Sequence, residues 1–320
     1  AIGNDYYNQG YVFFSLDPVE VNIVGDSIDL EMRIMEGPQA TINKVRINGN
    51  DRLYENIVRR ELRTKPGDLF NRDALERSYR EIAQMGHFNP ENIQPDVQPD
   101  AANGTVDINW NLESKPNDQI EFSAGWGQTG VIGKLSLKFT NFSMSNLFRK
   151  NDNYRGIIPQ GDGQTMTVSG QTNGSYYQSY SISFLDPWFG GKRPNSLSVS
   201  AFYSVQTDIS SNYYNSAYMN NYYNYYSGYG SYYNNYYNNY ESYYDPDKSI
   251  KMYGLSVGWG KRLRWPDDYF TLSAELSFQR FILKDWSYLY IRLNNGEYMT
   301  TGRSNNLSLG LTLSRNSTDN

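Results

Sequence analysis

From residue 119 onward, apolar residues recur at every second position. Ile120, Phe122, Ala124 and Trp126 alternate with Glu121, Ser123 and Gly125, and Leu135, Leu137 and Phe139 with Lys134, Ser136 and Lys138. Tyr180, Ile182 and Phe184 alternate with Ser179, Ser181 and Ser183. The same period returns over 197–203, 253–259, 270–278 and 307–313, and more weakly at Met166 and Val168. A period of two sends successive side chains to opposite faces of a strand. The pattern therefore predicts eight strands of roughly ten residues each. A soluble sandwich also alternates, but its polar face carries more charge and its strands are shorter. Small, uncharged partners fit a lipid-facing band around a polar lumen better. Trp126, Trp188, Phe189, Trp259 and Trp265 fall at or near predicted strand ends, where interfacial aromatics belong.

Before Pro116 the pattern is mixed. Residues 1–37 hold a short helix (5–8) and two extended runs, 18–24 and 28–36. Residues 40–50 alternate as a strand on Ile42, Val45 and Ile47, and 54–63 carries Ile57, Val58 and Leu62 at helical spacing. Asn71 is placed to cap a helix over 72–85 that Gly86 ends. Strands follow at 93–98 and 105–113, joined through an Asn103-Gly104 turn. The order is β-α-α-β-β.

Composition narrows the reading. The 320 residues carry a net charge of −5 and 20% charged residues, so the chain is neither a polyelectrolyte nor a nucleic-acid binder with a basic block. With no Cys and one His, disulfides, thiolate metal sites, cysteine nucleophiles and His clusters are excluded. No run of about 18 apolar residues exists to form a transmembrane helix. That absence is silent on barrels, whose lipid face is hidden on alternate residues. The chain opens with Ala1 and no signal peptide, which reads as a mature or truncated polypeptide. The 30 Tyr are concentrated in residues 207–248, a low-complexity stretch with Asn, Ser and Gly in which Tyr222, Tyr223, Tyr225 and Tyr226 sit together. It reads as a flexible surface loop, or as an adaptable polar-aromatic recognition surface.

Other motifs have plain structural readings. Gly125, Gly127 and Gly130 match G-x-G-x-x-G, but a dinucleotide site needs a helix there and the sequence continues as a strand. His87, between Gly86 and Phe88, reads as a packing residue. Glu121 and Glu275 are expected to face the lumen on separate strands, which gives no acid/base pair. No catalytic, cofactor or metal residue is expected.

Two sets of residues then carry a resemblance. One comprises Val45-Arg46-Ile47-Asn48-Gly49-Asn50, Arg59-Arg60-Glu61-Leu62, Pro66-Gly67-Asp68 and Met85-Gly86-His87-Phe88. The other comprises Asp186-Pro187-Trp188-Phe189, Gly161-Asp162-Gly163-Gln164 and 315–320. In this order they resemble the BamA-type outer-membrane protein insertases. The resemblance makes 38–116 the last periplasmic POTRA domain, 1–37 the tail of the preceding one (on Gln9-Gly10-Tyr11 and Glu36-Gly37-Pro38), and 117–320 the first half of a barrel. The implied fold class is an α+β POTRA domain followed by an antiparallel transmembrane β-barrel, the first eight strands of sixteen. The family has further POTRA domains and an Arg-Gly-Phe loop in its later half, so the chain reads as the middle of a longer polypeptide.

The family's activity is insertion and folding of β-barrel proteins in the outer membrane of Gram-negative bacteria, with POTRA domains in the periplasm. The resemblance implies a lateral gate on the first barrel strand: Gln119, Ile120, Glu121, Phe122, Ser123, Ala124, Gly125, Trp126 and Gly127. It also implies unfolded outer-membrane proteins as substrates, accessory lipoproteins docking on POTRA with Arg59 and Glu61 as candidates, contact with outer-membrane lipid, and no cofactor. Because the chain enters the barrel from the POTRA side, 207–248 is expected outside the cell. A POTRA-barrel translocator that secretes its substrate, and a passive porin, are the competing readings. The porin leaves the POTRA unit unexplained.

Overall fold

The computed structural model describes residues 2–25, 27–127, 130–148, 158–174, 176–209, 244–286 and 291–315. They form two compact units, Ala1–Asn117 with Asn141–Gly163, and Asp118–Thr140 with Gln164–Asn320.

The first unit opens with helix α1 (Ile2–Asn8) and an antiparallel hairpin of β1 (Ser15–Val24) and β2 (Ser27–Met35). There follow β3 (Thr41–Asn48), α2 (Glu55–Arg59), α3 (Arg72–Gln84), β4 (Gln94–Asp100) and β5 (Thr105–Asn111). This is the expected β-α-α-β-β order. The sheet runs β3-β5-β4, with β5 central, parallel to β3 and antiparallel to β4. Val106, Ile108 and Trp110 alternate along β5 and are fully buried with Val58, Ile82 and Phe88. His87 is buried beside them, consistent with a packing role.

Local chemistry explains the boundaries. The Asn71 side chain accepts the Ala74 N–H at 2.8 Å and caps α3, and Gly86, at φ +72°, ends it. A Cβ at Gly49 would lie 1.9 Å from the Leu112 carbonyl oxygen, so only glycine fits where β3 closes. The helix expected over 54–63 stops at Arg59. The amides of Glu61 and Leu62 bond three residues back, to Val58 and Arg59, and the tightened turn carries Leu62 into the core. Two groups outside the core are held off their usual values. Asp100 accepts the side-chain amide of Asn103 at 2.7 Å and nearby backbone N–H groups, which keeps its carboxyl below the ordinary range. Tyr6 donates to Glu36 at 2.9 Å, which raises the Tyr6 hydroxyl.

The second unit is one antiparallel sheet of eight strands. They are β6 (Gln119–Gly127), β7 (Gly130–Phe142), β8 (Gln164–Asn173), β9 (Tyr177–Asp186), β10 (Asn195–Ile209), β11 (Tyr244–Arg262), β12 (Phe270–Lys284) and β13 (Gly302–Arg315). Each pairs with its sequence neighbours, and β6 and β13 are the two edges among the described residues. Strands β10 and β11 run further than the alternation alone predicts, to 15 and 19 residues. They take in 207–209 and 244–248, which the sequence assigns to the Tyr-rich connection.

The register shows that the alternation has one meaning across the sheet. Leu309 lies opposite Leu276, Leu276 opposite Val257, and Val257 opposite Val199. Val199 lies opposite Phe184, and Phe184 opposite Met166. On the other face, Ser308, Ser277, Ser256, Ser200 and Ser183 form a row, with hydroxyl contacts of 2.6 Å between Ser277 and Ser308 and 2.7 Å between Ser200 and Ser256. The apolar face is bare: Ile120, Phe122 and Trp126 are 76%, 74% and 78% exposed, and Leu311 is 70% exposed. A band of this extent far exceeds the apolar patch a water-soluble surface tolerates.

One part of the polar face differs from the expected polar lumen. At the end from which the Tyr-rich connection leaves, Phe202, Ile250, Met252, Phe281 and Leu283 stand in register with the serine rows. Ile250 and Leu283 are buried there by Trp286, Ile291 and Met299, which come from the connection between β12 and β13. That connection carries its own tight turn, with the Leu293 and Met299 amides bonded to the carbonyls of Glu297 and Ile291. The face is polar along its middle and apolar, covered, at this end.

Candidate functional site

The residues expected to form a gate lie together on β6. The strand pairs with β7 from Gln119 opposite Lys138 to Gly127 opposite Gly130, and its other edge has no strand partner among the described residues. Residues 119–126 are all exposed. Gly125 has open space where a Cβ would be, so no neighbour requires glycine there. Its effect is to leave the edge without a side chain and to weaken any pairing the strand enters. Glu121, which has no partner evident from sequence, meets Lys134 on β7 at 2.9 Å. The G-x-G-x-x-G glycines lie on β6 and β7, Gly127 opposite Gly130, and among the described residues they begin no helix.

Arg59 and Glu61, the candidates for docking a partner, face different surroundings. Arg59 is partly exposed, pairs with Glu55 one turn earlier, and donates twice to the Val45 carbonyl, at 3.1 and 3.2 Å. The Glu61 side chain is only 14% exposed and lies 3.8 Å from Arg60. Arg59 offers a surface as folded; Glu61 offers little. Tyr222, Tyr223, Tyr225 and Tyr226 lie outside the described residues. Among the described residues no group of His, Cys, Asp and Glu is placed to hold a metal ion.

The sequence does not reveal one constellation. The connection between β7 and β8 includes a short helix, α4 (Met144–Phe148), and belongs to the first unit. Asn141, 3% exposed, accepts the amides of Gly161 and Gly163 at 3.2 and 3.1 Å and donates to the Arg52 carbonyl at 2.6 Å. Asp162 accepts the hydroxyls of Ser143 and Ser145 at 2.7 and 2.6 Å. Asn146 donates to the Tyr54 hydroxyl at 2.8 Å, and the Tyr54 amide donates to the Gly161 carbonyl at 3.0 Å. Gly161 (φ +127°) lies so close to the Tyr54 ring that a Cβ would fall 2.6 Å from it. The Gly161-Asp162-Gly163 signal thus reflects backbone geometry and close approach. Asn141→Ala would take the side-chain partner from the Gly163 amide and from the Arg52 carbonyl, while the Gly161 amide keeps the Asn141 backbone carbonyl at 3.0 Å, at a cost of about 1–3 kcal/mol. Limited proteolysis of the membrane-embedded protein should then cut faster within 141–163. An unchanged cleavage rate would show that the network holds nothing.

Comparison with known proteins bears on this arrangement. Residues 40–115 match the POTRA family model, "Surface antigen variable number repeat". The chain is 28% identical over 192 residues to the outer membrane protein assembly factor BamA of Neisseria meningitidis serogroup B, a match that covers 59% of this chain and 22% of that protein. It is 25% identical over 145 residues to BamA of Neorickettsia risticii, covering 45% of this chain and 19% of that protein. The chain thus spans about a fifth of the length of these relatives. The crystal structure of BamA from Haemophilus ducreyi lacking POTRA domains 1–3 superposes with a TM-score of 0.61 at 16% identity, over 99% of this chain and 52% of that one. In sequence and in fold, the chain resembles the BamA-type proteins, with a periplasmic POTRA domain leading into the strands of an outer-membrane β-barrel.

Proposed function

We propose that the protein to which this chain belongs inserts and folds β-barrel proteins in the outer membrane, as the central barrel subunit of an assembly machine. The observation that carries this reading is the joining, in one chain, of the POTRA sheet to an eight-stranded sheet with a bare apolar face, whose first strand, β6, is short and carries two glycines. The physical problem is the backbone. A strand entering lipid with unpaired N–H and C=O groups loses several kcal/mol for each. An edge that parts from its closing strand offers those groups partners before the incoming strand meets hydrocarbon. The similarity to assembly factors supports this substrate class. Unfolded outer-membrane proteins would be received on the POTRA side, accessory lipoproteins would dock on the POTRA domain near Arg59, and lipid would cover the apolar face. Pairing and burial drive the process, without a cofactor or catalytic group.

The test is to lock the seam. A disulfide between a Cys at Ser123 and a Cys on the closing strand of the whole protein forms if the two Cα atoms lie within about 7 Å. The described chain has no native Cys to interfere. Under oxidation, insertion of other outer-membrane proteins should stop, and reduction should restore it. A porin would go on conducting with its seam locked, and a translocator would go on secreting through its lumen. Full insertion activity with a quantitatively formed cross-link would end the lateral-opening reading.

A further inference from the structure

We propose that the rim of the barrel sheet on the POTRA side binds anionic phospholipid, with Lys192, Arg193, Lys261 and Arg264 on the headgroup phosphates and Phe189 and Trp265 in the adjoining acyl layer. The inference rests on the sheet being part of a membrane barrel and is independent of what the whole protein inserts or secretes.

The chain enters β6 from the POTRA domain and each strand runs antiparallel to the one before it, so the connections after β7, β9 and β11 return to that side. Strand β11 sets the level of the interface there. Its lipid-facing row is Tyr253, Leu255, Val257 and Trp259, opposite Tyr203, Ala201, Val199 and Leu197. A lysine closes the row at each end, Lys251 and Lys261. The ten residue steps between them, at about 3.3 Å each and tilted by about 40°, span about 25 Å of height, which is that of an outer-membrane apolar band. A lysine at such a margin lays its stem along the apolar surface and carries its ammonium to the headgroups. Lys261 therefore marks headgroup level on the POTRA side.

Two turns stand at this level. Between β9 and β10 the Phe189 amide donates to the Asn195 carbonyl at 2.7 Å, which fixes Phe189, 52% exposed, at the base of the turn. Gly190 and Gly191, both at positive φ, carry the chain round to Lys192 and Arg193, which are exposed. Asn195 lies opposite Lys261, so the cations of the two strands meet along one stretch of rim. Between β11 and β12 the Leu263 amide donates to the Phe270 carbonyl at 2.8 Å. Beyond that bond stand Arg264, exposed, and Trp265, 83% exposed. The carboxylates beside these turns are already engaged. Asp186 accepts from the Gln164 side chain at 3.0 Å and the Trp188 amide at 2.9 Å, and Asp267 pairs with Arg315 at 3.0 Å. Arg262 and Asp268 also have partners within the fold. The remaining POTRA-side connection repeats the order in sequence: Phe148, exposed at the end of α4, is followed by Arg149 and Lys150.

An exposed ring beside cations, at the edge of an apolar band, is complemented by a molecule with a phosphate head and an apolar tail. Aromatic rings settle at the interface. Lysine and arginine near an anionic surface add attraction, and arginine grips a phosphate through two parallel N–H bonds. A soluble polyanion would leave both rings in water, and a protein partner would have to displace the headgroups to reach them.

The whole protein is reconstituted in phosphatidylcholine vesicles containing a trace of photoactivatable lipid. The reactive group sits near the top of the acyl chain, and the probe is either phosphatidylglycerol or phosphatidylcholine. Cross-links are mapped by mass spectrometry and normalised to residues 305–313 of β13, which carry no charge. Two cations at an anionic headgroup should raise the labelling of 187–194 and 263–269 about tenfold for the glycerol probe over the choline probe. Replacing the four cations together (Lys192→Gln, Arg193→Gln, Lys261→Gln, Arg264→Gln) should bring the two probes level, and Phe189→Ala with Trp265→Ala should lower both. Equal labelling by the two probes in the unaltered protein would overturn the proposal. So would a preference that survives removal of the cations, or turns that neither probe labels, as a covering protein or open water would leave them.

Discussion

Leu309→Arg should prevent stable assembly in the membrane, whereas Gly310→Arg should be tolerated. The two positions are adjacent, but they face opposite sides of β13. Leu309 lies opposite Leu276 in the middle of the apolar face, and Gly310 lies opposite Glu275 on the polar one. A charge on the lipid face near the bilayer midplane costs about 2–4 kcal/mol, and at the interior face the same side chain meets water and a carboxylate. The space is there as well. A Cβ at Gly310 would come no closer than 4.0 Å to another atom, the Glu275 carbonyl oxygen. The measurement is the fraction of each variant that reaches a heat-modifiable, protease-resistant form in the outer membrane. Equal fractions for the two variants would show that the faces have been assigned the wrong way round.

The POTRA core should be as sensitive at one residue. Trp110 is fully buried on β5, and its indole N–H has no hydrogen-bond partner among the described residues. Trp110→Ala removes the largest side chain of that core and should cost about 3–5 kcal/mol. Trp110→Phe should cost much less. It leaves a smaller cavity and also removes a buried donor that has nothing to donate to. Hydrogen exchange at the amides of Val106 and Ile108 reads this directly. Protection should collapse in the alanine variant and largely survive in the phenylalanine variant. Retained protection in both would move the centre of the core elsewhere.

How far these features were legible in the sequence depends on what kind of interaction made them. All eight barrel strands were legible, because each must separate lipid from interior along its length and so repeats with period two. The POTRA elements were legible through caps and stops: Asn71, Gly86 and the Gly49 turn each mark a boundary with local chemistry. The interior cover at Ile250 and Leu283 was not. At Met252-Tyr253 and over 281–283 both alternating positions are apolar, so the pattern loses its phase where a second apolar contact replaces the lumen. The fold-back of 141–163 was hidden for another reason. It is held by the side chains of Asn141, Ser143 and Asp162, whose bonds to backbone and to one another have no periodicity to betray them. At the candidate site, the β6 edge could be placed from sequence. The internal engagement of Arg59 and the burial of Glu61 depend on where the chain turns after α2, which helical spacing overshoots.

The covered end of the interior face has a mechanical consequence. Strands β11 and β12 are joined through a long ladder and are also clamped across their ends by a small apolar core built on Trp286. Strand β6 has nine residues against nineteen for β11, carries two glycines, and is clamped by nothing comparable among the described residues. Stress applied around such a sheet does not spread evenly, because the compliant element deforms first. Elastic strain from a barrel widening to admit another chain would gather at β6, while the clamped strands move together as a stiff plate. The sheet is graded like a leaf spring, thick at one side and thin at the other, and such a spring would bend first at its thin side.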